Sequence, residues 1–253
     1  MTNERGSIAS EQRLDWLLTR LTSSGSVLIN SAASELGVSE MTIRRDLLEL
    51  EQRGSARRVR GGATLVGPQP FAARHAVKAR SKARIAAKLS ALVPPTGLVA
   101  FDASSTVMRL TSSLDVAQDL TIITNSPVTF EALQGLIGVE PLLTGGRLDP
   151  VTGSLVGPIA CRSASQLLVD VFFASAAALD ISSGALEATI DEAEVKRTIA
   201  DRAARVVVAV DASKLGTRAA ATGIDWDRID TLVTDLDPGD DRLDPYRSLA
   251  TVL

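Results

Sequence analysis

The sequence is poor in thiol and imidazole groups: one cysteine and one histidine in 253 residues. Cys161 cannot form an internal disulfide and reads as a small core residue. His75 has no acidic neighbour in sequence, and a lone imidazole with nothing to orient it is seldom catalytic. No metal and no cofactor are expected. Aromatic residues make up 3% of the chain against 45% hydrophobic residues overall, so the core is expected to be built from Ala, Val and Leu. No apolar run reaches the ~18 residues of a membrane span. The N-terminal MTNERGSIASEQR lacks the apolar centre of a signal peptide. A cytoplasmic, soluble chain without internal repeats follows as the expectation.

The length suggests one large or two modest domains. The net charge of −3 argues weakly against nucleic acid, but its distribution matters more. Residues 1–64 carry nine Arg and eight acids, and within 41–64 there are six Arg against three acids. The basic footprint is local, as for a small DNA-reading head on an acidic body.

That footprint lies in LGVSEMTIRRDLLELEQRGSARRVRGG, Leu36 to Gly62. Gly37 suits the left-handed position that closes a helix. Val38 can tuck under the turn, and Ser39 is a good N-cap. From Glu40 to Arg53, Ile43, Leu47 and Leu50 recur at helical spacing and form the buried stripe. Met41, Thr42, Arg44 and Arg45 fall off that stripe, towards the N-terminal half, where a major-groove recognition helix places its contacts. Gly54 should stop this helix. Ser55 to Arg60 then bring Arg57, Arg58 and Arg60 together before Gly61-Gly62, as a basic hairpin fit for phosphates. Upstream, Ser10 to Leu21 reads as a helix with Leu14, Leu17, Leu18 and Leu21 on one face. Val27-Leu28-Ile29 reads as a short strand and Asn30 as the N-cap of a helix ending at Leu36.

The organisation expected is a head over 1–64, a Gly/Pro linker over 65–77 and an α/β body over 78–253. Arg74 to Leu92 reads as one helix with Ile85, Leu89 and Leu92 buried and Lys78, Arg80, Lys82, Arg84 and Lys88 on its wet face. Beyond Pro94-Pro95, short apolar runs at 98–101, 121–124, 139–143, 169–174, 206–210 and 230–233 alternate with helical stretches at 104–114, 126–135, 159–168 and 191–204. Arg247 to Leu253 could add an edge strand. This alternation implies a mostly parallel sheet with helices on its faces.

In such sheets ligands bind beyond the carboxyl ends of the strands. There the sequence places Asp102-Ala103-Ser104-Ser105-Thr106, Thr124-Asn125-Ser126, Thr144-Gly145-Gly146-Arg147 and Asp211-Ala212-Ser213-Lys214, with Glu192 to Arg197 opening a helix before the last. Each alone is an ordinary cap, turn or solvated charge. Four polar, anion-capable loops at one sheet edge point to a ligand site.

VSEMTIRRDLLELEQRG…RGGA resembles the winged helix-turn-helix signature of DeoR-family bacterial regulators. FDASSTVMRL, ITNSPV, LLTGGRLDPVTGSLVG, EAEVKR and VDASKLG are similar to successive motifs of that family's effector domain. The resemblance spans roughly residues 10–235. It implies a body similar to ribose-5-phosphate isomerase that binds a phosphorylated sugar. By that analogy Asp102, Ser104, Ser105 and Thr106 hold the phosphate or adjacent hydroxyls, and Asn125, Gly145, Gly146, Lys196 and Lys214 line the pocket; Arg147, on its charge alone, could pair with an anion there. Ser39, Met41, Thr42, Arg44, Arg45, Arg57, Arg58 and Arg60 would face double-stranded DNA. One departure stands out: the usual Asp-x-Gly-Thr-Thr loop is Asp-Ala-Ser-Ser-Thr here, which removes a residue free to take positive φ. The expected function is repression of a sugar-catabolic operon by a homo-oligomer, dimer or tetramer, that a sugar phosphate controls. Two other readings stay open. One is a sugar-phosphate isomerase with Asp102, Glu194 or Lys196 in acid–base roles and the head as accessory. The other is a DNA-binding protein with a degenerate pocket.

Overall fold

In the N-terminal segment the first helix ends before Gly25 and the second before Gly37, both with positive φ, and the apolar stripes of these helices and of the helix that follows make one small core. The computed structural model describes residues 3–53, 55–65, 67, 71–76, 78–114 and 117–253. Gly54, Val66 and the linker prolines Pro68 and Pro70 fall outside them. The chain divides into two units, 1–77 and 78–253.

In the first unit α1 (Asn3–Ser24), β1 (Ser26–Leu28), α2 (Ile29–Leu36), α3 (Glu40–Gln52), β2 (Ala56–Val59) and β3 (Gly62–Leu65) follow in order, and α4 (Phe71–Ala76) closes it. Gly37 ends α2 in the left-handed region at φ 64°, and Ser39 caps α3 by accepting the Thr42 N–H. Leu14, Leu17 and Leu21 of α1 pack with Ile43, Leu47 and Leu50 of α3, while Val38 stays partly buried under the turn. Three strands pair in the order β1-β3-β2, so β2 and β3 form the expected hairpin wing. Three details differ from the sequence reading. α1 continues through the expected turn at Ser23-Ser24. Leu28, not Asn30, occupies the N-cap of α2, because the helix starts directly at the end of β1. The α3 stripe also takes in Asp46, whose reason for burial appears below.

Gly62 sits where no side chain fits: a Cβ there would lie 2.0 Å from the Val27 carbonyl oxygen across the β1–β3 pairing. Gly62→Ala must therefore push the wing off β1. We expect a loss of about 3 kcal/mol in the head's stability, at the upper end for overpacking. A urea melt of the full chain would show it as a lower midpoint in one transition; an unchanged profile would contradict this packing.

In the second unit, α5 (Ala79–Ser90) is followed by β4 (Thr96–Phe101), β5 (Asp119–Thr124), α6 (Pro127–Leu133), β6 (Val139–Leu143), the hairpin β7 (Arg147–Leu148) and β8 (Leu155–Val156), α7 (Pro158–Ser165) and β9 (Val169–Ala174). Then come β10 (Ala178–Asp180), β11 (Gly184–Glu187), α8 (Ile190–Arg202), β12 (Ala203–Val210), β13 (Ala221–Ile224), β14 (Thr231–Thr234) and β15 (Thr251–Val252). Seven strands form one all-parallel sheet in the order β15-β14-β12-β9-β4-β5-β6. One core cluster covers one face through α7 and α8, and another the opposite face through α5. The expected edge strand is β15. The segment read as one helix from Arg74 is two, α4 and α5, broken at Lys78, which takes φ 57°. The stretch read as a helix over 104–114 is a 3-10 turn from Val107 to Ser113. β10, β11 and β13 form a separate antiparallel sheet that short runs of two or three apolar residues did not announce. Among the described residues, no helix is long and apolar enough to cross a membrane.

Candidate functional site

The first surface is the exposed side of α3 with the wing. Burying Ile43, Leu47 and Leu50 turns Met41, Arg44 and Arg45 outwards, and Met41 is 72% exposed. Arg57, Arg58 and Arg60 are exposed on β2 and the turn after it. A cavity of about 280 Å³ lies between helix and wing, lined by Ile29, Leu47, Val59 and Gly62 and by Arg44, Arg58 and Arg60. The Ser39 and Thr42 hydroxyls lie 2.9 Å apart, so both serve the helix start. Asp46 faces α1, where its two oxygens accept Nε and Nη2 of Arg13 at 2.8 and 3.2 Å. That two-point ion pair is why a carboxylate can be buried on α3.

The second site lies where the strand order of the body reverses. From β4 the chain moves outwards through β5 and β6, then returns to the other side of β4 with β9, β12, β14 and β15. The crevice between the carboxyl ends of β4 and β9 is the switch point at which such sheets bind ligands. Asp102 leaves β4 there. Its Oδ1 accepts the Ser104 N–H at 3.0 Å, and its Oδ2 accepts the Ser175 N–H, just past β9, at 2.8 Å. Lys196 of α8 reaches the same point, with Nζ 3.0 Å from Asp102 Oδ2, 2.6 Å from Glu187 Oε1 and 2.7 Å from the Ser175 carbonyl.

Asp102, Glu187 and Lys196 are all buried. Burial works against the Lys196 ammonium, but Asp102 and Glu187 outweigh it and hold its pKa above the usual lysine value, so it stays charged. Glu187 is pushed up to about 7, first by burial and then by Glu192 and Asp102, against the pull of Lys196. Its carboxyl therefore binds a proton more readily in the folded chain than at its ordinary 4.5. Glu187 contributes most to stability below that value, and the contribution is lost as pH rises towards about 7. Glu187→Gln cannot titrate. The variant's stability relative to wild type should rise between pH 5 and 7 in parallel urea titrations. A difference constant over that window would mean Glu187 is ionised throughout.

The Asp102–Thr106 loop is buried along its length. Ser104 Oγ accepts the Val107 N–H at 3.1 Å and so caps the 3-10 turn. Among the described residues only Lys78 combines a side chain with positive φ, so the loop accommodates Ser104 without the left-handed backbone that glycine would permit. Ser105 Oγ accepts Nζ of Lys82 at 2.9 Å, and Lys82 is itself buried. By its charge Lys82 is expected on the wet face of its helix. It lies three residues before Ile85 and seven before Leu89, on their stripe, and that spacing was the signal available. Lys214 points at the same edge, with Nζ 3.5 Å from Ser175 Oγ and donating to the Ala176 carbonyl. Lys78 pairs with Asp211 and Ser213, which follow β12.

The remaining predicted residues divide. Asn125 is buried and ties the β5 end to the hairpin: Nδ2 donates to the Leu155 carbonyl and the Asn125 carbonyl accepts the Leu155 N–H. Gly146 has φ 121° and a backbone that a Cβ would bring to 2.8 Å from the Val156 oxygen, while Gly145 at φ 69° has room. Thr106 is buried in the loop. Arg147 is exposed and pairs with Asp191. Glu194, an acid–base candidate of the enzyme reading, is exposed and pairs with Arg197, away from Asp102. Glu187 lies outside every segment the sequence singles out, and Glu192 lies in the Glu192–Arg197 segment without a role of its own. Glu192 accepts Ser154 Oγ at 3.3 Å and extends the buried polar chain to the β7–β8 hairpin.

Comparison with known proteins follows the same division. The DeoR-like helix-turn-helix domain matches residues 13–69, and the DeoR C terminal sensor domain matches residues 77–236. A putative aga operon transcriptional repressor of Escherichia coli O157:H7 is 30% identical over 92% of this chain and 89% of its own. The deoxyribose operon repressor of Escherichia coli K12 is 33% identical over 91% and 92%. The transcriptional regulator GlpR of Haloferax volcanii is 35% identical over 82% of each. Among solved structures, ribose 5 phosphate isomerase A from Neisseria gonorrhoeae aligns at 17% identity over 53% of this chain and 52% of its own, with a TM-score of 0.36. That likeness is too slight to carry any assignment, and the α/β fold stands on its own strand order. The relatives are regulators rather than enzymes. With both family domains matched in order along the chain, this protein belongs to the DeoR family of DNA-binding transcriptional regulators.

Proposed function

We propose that the chain represses a sugar-catabolic operon and is released from its operator by a phosphorylated sugar. The head reads double-stranded DNA: Met41, Thr42, Arg44 and Arg45 face base edges and the wing meets phosphates. Ser39 supports this face by capping its helix. A dimer or tetramer acts in the cytoplasm, since two half-sites require two heads.

The single observation that carries the effector half is the convergence of Lys82, Lys196 and Lys214 with the Ser104-Ser105-Thr106 loop at the β4–β9 crevice. Ammonium groups and hydroxyls at a switch point suit a phosphate, and Glu187 and Glu192 beside them suit sugar hydroxyls. Asp102 acts here by holding the loop and Lys196. The names of two relatives, for the aga and deoxyribose operons, support a sugar as the regulated nutrient. Binding that favours the DNA-released conformation by ~1–3 kcal/mol would change operator affinity ~5–150-fold.

The test is thermal unfolding of the full chain with a panel of sugar phosphates and the same free sugars. A true effector at ~100 times its Kd adds ~2.7 kcal/mol. The expected result is stabilisation by one phosphorylated compound, absent with its free sugar and absent in Lys82→Met. Stabilisation by the free sugar alone would refute the phosphate assignment. Indifference to the whole panel would mark the pocket as degenerate.

A further inference from the structure

The arginines from Arg44 to Arg60, on α3 and the wing, fall into two groups. Arg44 pairs with Glu40, Arg53 with Glu49 and Arg58 with Glu51. Among the described residues, no ion-pair partner stands beside Arg45, Arg57 or Arg60. The Arg58 pair differs from the other two. Arg44 and Arg53 bridge acids four residues back on their own helix. Glu51 stands near the end of α3 and Arg58 on β2, so their pair joins two elements. It is also a two-point grip: Glu51 Oε1 accepts the backbone N–H of Arg58 at 2.9 Å, and Oε2 accepts its Nε at 2.7 Å. The backbone contact fixes the strand itself and not only a side chain.

Strand geometry sorts the wing arginines further. Successive side chains on a strand point to opposite faces. If Arg58 turns towards α3, its neighbour Arg57 turns away, and Arg60 stands at the turn.

We propose that Glu51 is a positioning residue that sets the wing against the recognition helix through Arg58, leaving Arg57 and Arg60 as the wing's phosphate contacts. The assignment rests on the DNA-reading function above and sharpens it. A carboxylate beside a DNA surface ordinarily opposes binding, so an acid retained there to hold an arginine makes an unusual prediction. Removing it weakens binding.

The experiment needs a DNA probe and not a known operator. A duplex selected from a random library by the full-length chain serves, and its binding is followed by fluorescence anisotropy between about 50 and 200 mM salt. Each phosphate contact contributes about −0.9 to the slope of log K against log[salt]. Arg57→Ala and Arg60→Ala should each make the slope shallower by about that much. Arg58→Ala should keep the wild-type slope while lowering affinity at every salt concentration, by roughly fivefold for a lost contact of this kind. Glu51→Gln should weaken binding in the same way. Melting curves of each variant, expected to match wild type for the half-buried Glu51, exclude unfolding as the cause. A slope loss for Arg58→Ala equal to that of Arg57→Ala would overturn the proposal, as would tighter binding by Glu51→Gln. If the wild-type chain selects no sequence at all, the DNA-reading function falls, and this assignment with it.

Discussion

Lys196→Met should destabilise the body by about 3–5 kcal/mol at pH 8, the cost of breaking a buried ion pair from one side. The side chain keeps its length and loses only the ammonium. Asp102 and Glu187 then face each other across a buried gap with no cation between them. Asp102 retains the Ser104 and Ser175 N–H groups. Glu187 retains less, and its relief is to take up a proton, to which burial already inclines it. The deficit should therefore shrink on acidification, because a protonated Glu187 no longer needs Lys196. Urea unfolding of wild type and variant at pH 8 and pH 5.5 measures both points. A loss below about 1 kcal/mol at pH 8 would show that Lys196 is solvated in solution. A deficit unchanged at pH 5.5 would show that Glu187 does not take up the proton. The same variant should no longer respond to an effector, since Lys196 holds together the loop on which the phosphate would rest.

Arg45→Ala should have its effect at the other end of the chain and spare the body. Arg45 is exposed, lies off the α3 stripe and has no partner among the described residues, so its removal leaves the head's core intact. If it reads a base edge, specific binding should weaken by roughly 1–3 kcal/mol, about 5- to 150-fold, with weak non-specific binding retained. Effector-induced stabilisation should be unchanged. Anisotropy on the selected duplex and on a scrambled one separates these terms. Equal losses on both duplexes would assign Arg45 to phosphate. No loss on either would move the recognition surface elsewhere.

The head was legible in the sequence because its signals are local. Gly37, Ser39 and the Ile43-Leu47-Leu50 period each act within one helical turn, and each holds in the structure. The parallel sheet was legible because its strands alternate with helices. Residues held from a distance were not legible. Asp46 lies on the apolar side of α3 only because Arg13, 33 residues away, meets it. Lys82 was judged by its charge, whereas its place on the Ile85-Leu89 stripe decided its burial. The break at Lys78 has no Gly or Pro to mark it. Glu187 sits in a short strand of the small antiparallel sheet, and no local pattern announced either the strand or its contact with Lys196. At the candidate site the Asp102–Thr106 loop was legible by position, but the buried groups that meet it, Lys82, Lys196 and Glu187, came from α5, α8 and β11.

The most direct test of the central claim is anisotropy of the full-length chain on the DNA upstream of its own gene and the neighbouring operon, with and without a panel of sugar phosphates. Tight, salt-sensitive binding that one phosphorylated sugar reverses is the predicted result. Tight binding that no compound in the panel alters would contradict effector control through the Lys82–Lys196–Lys214 site.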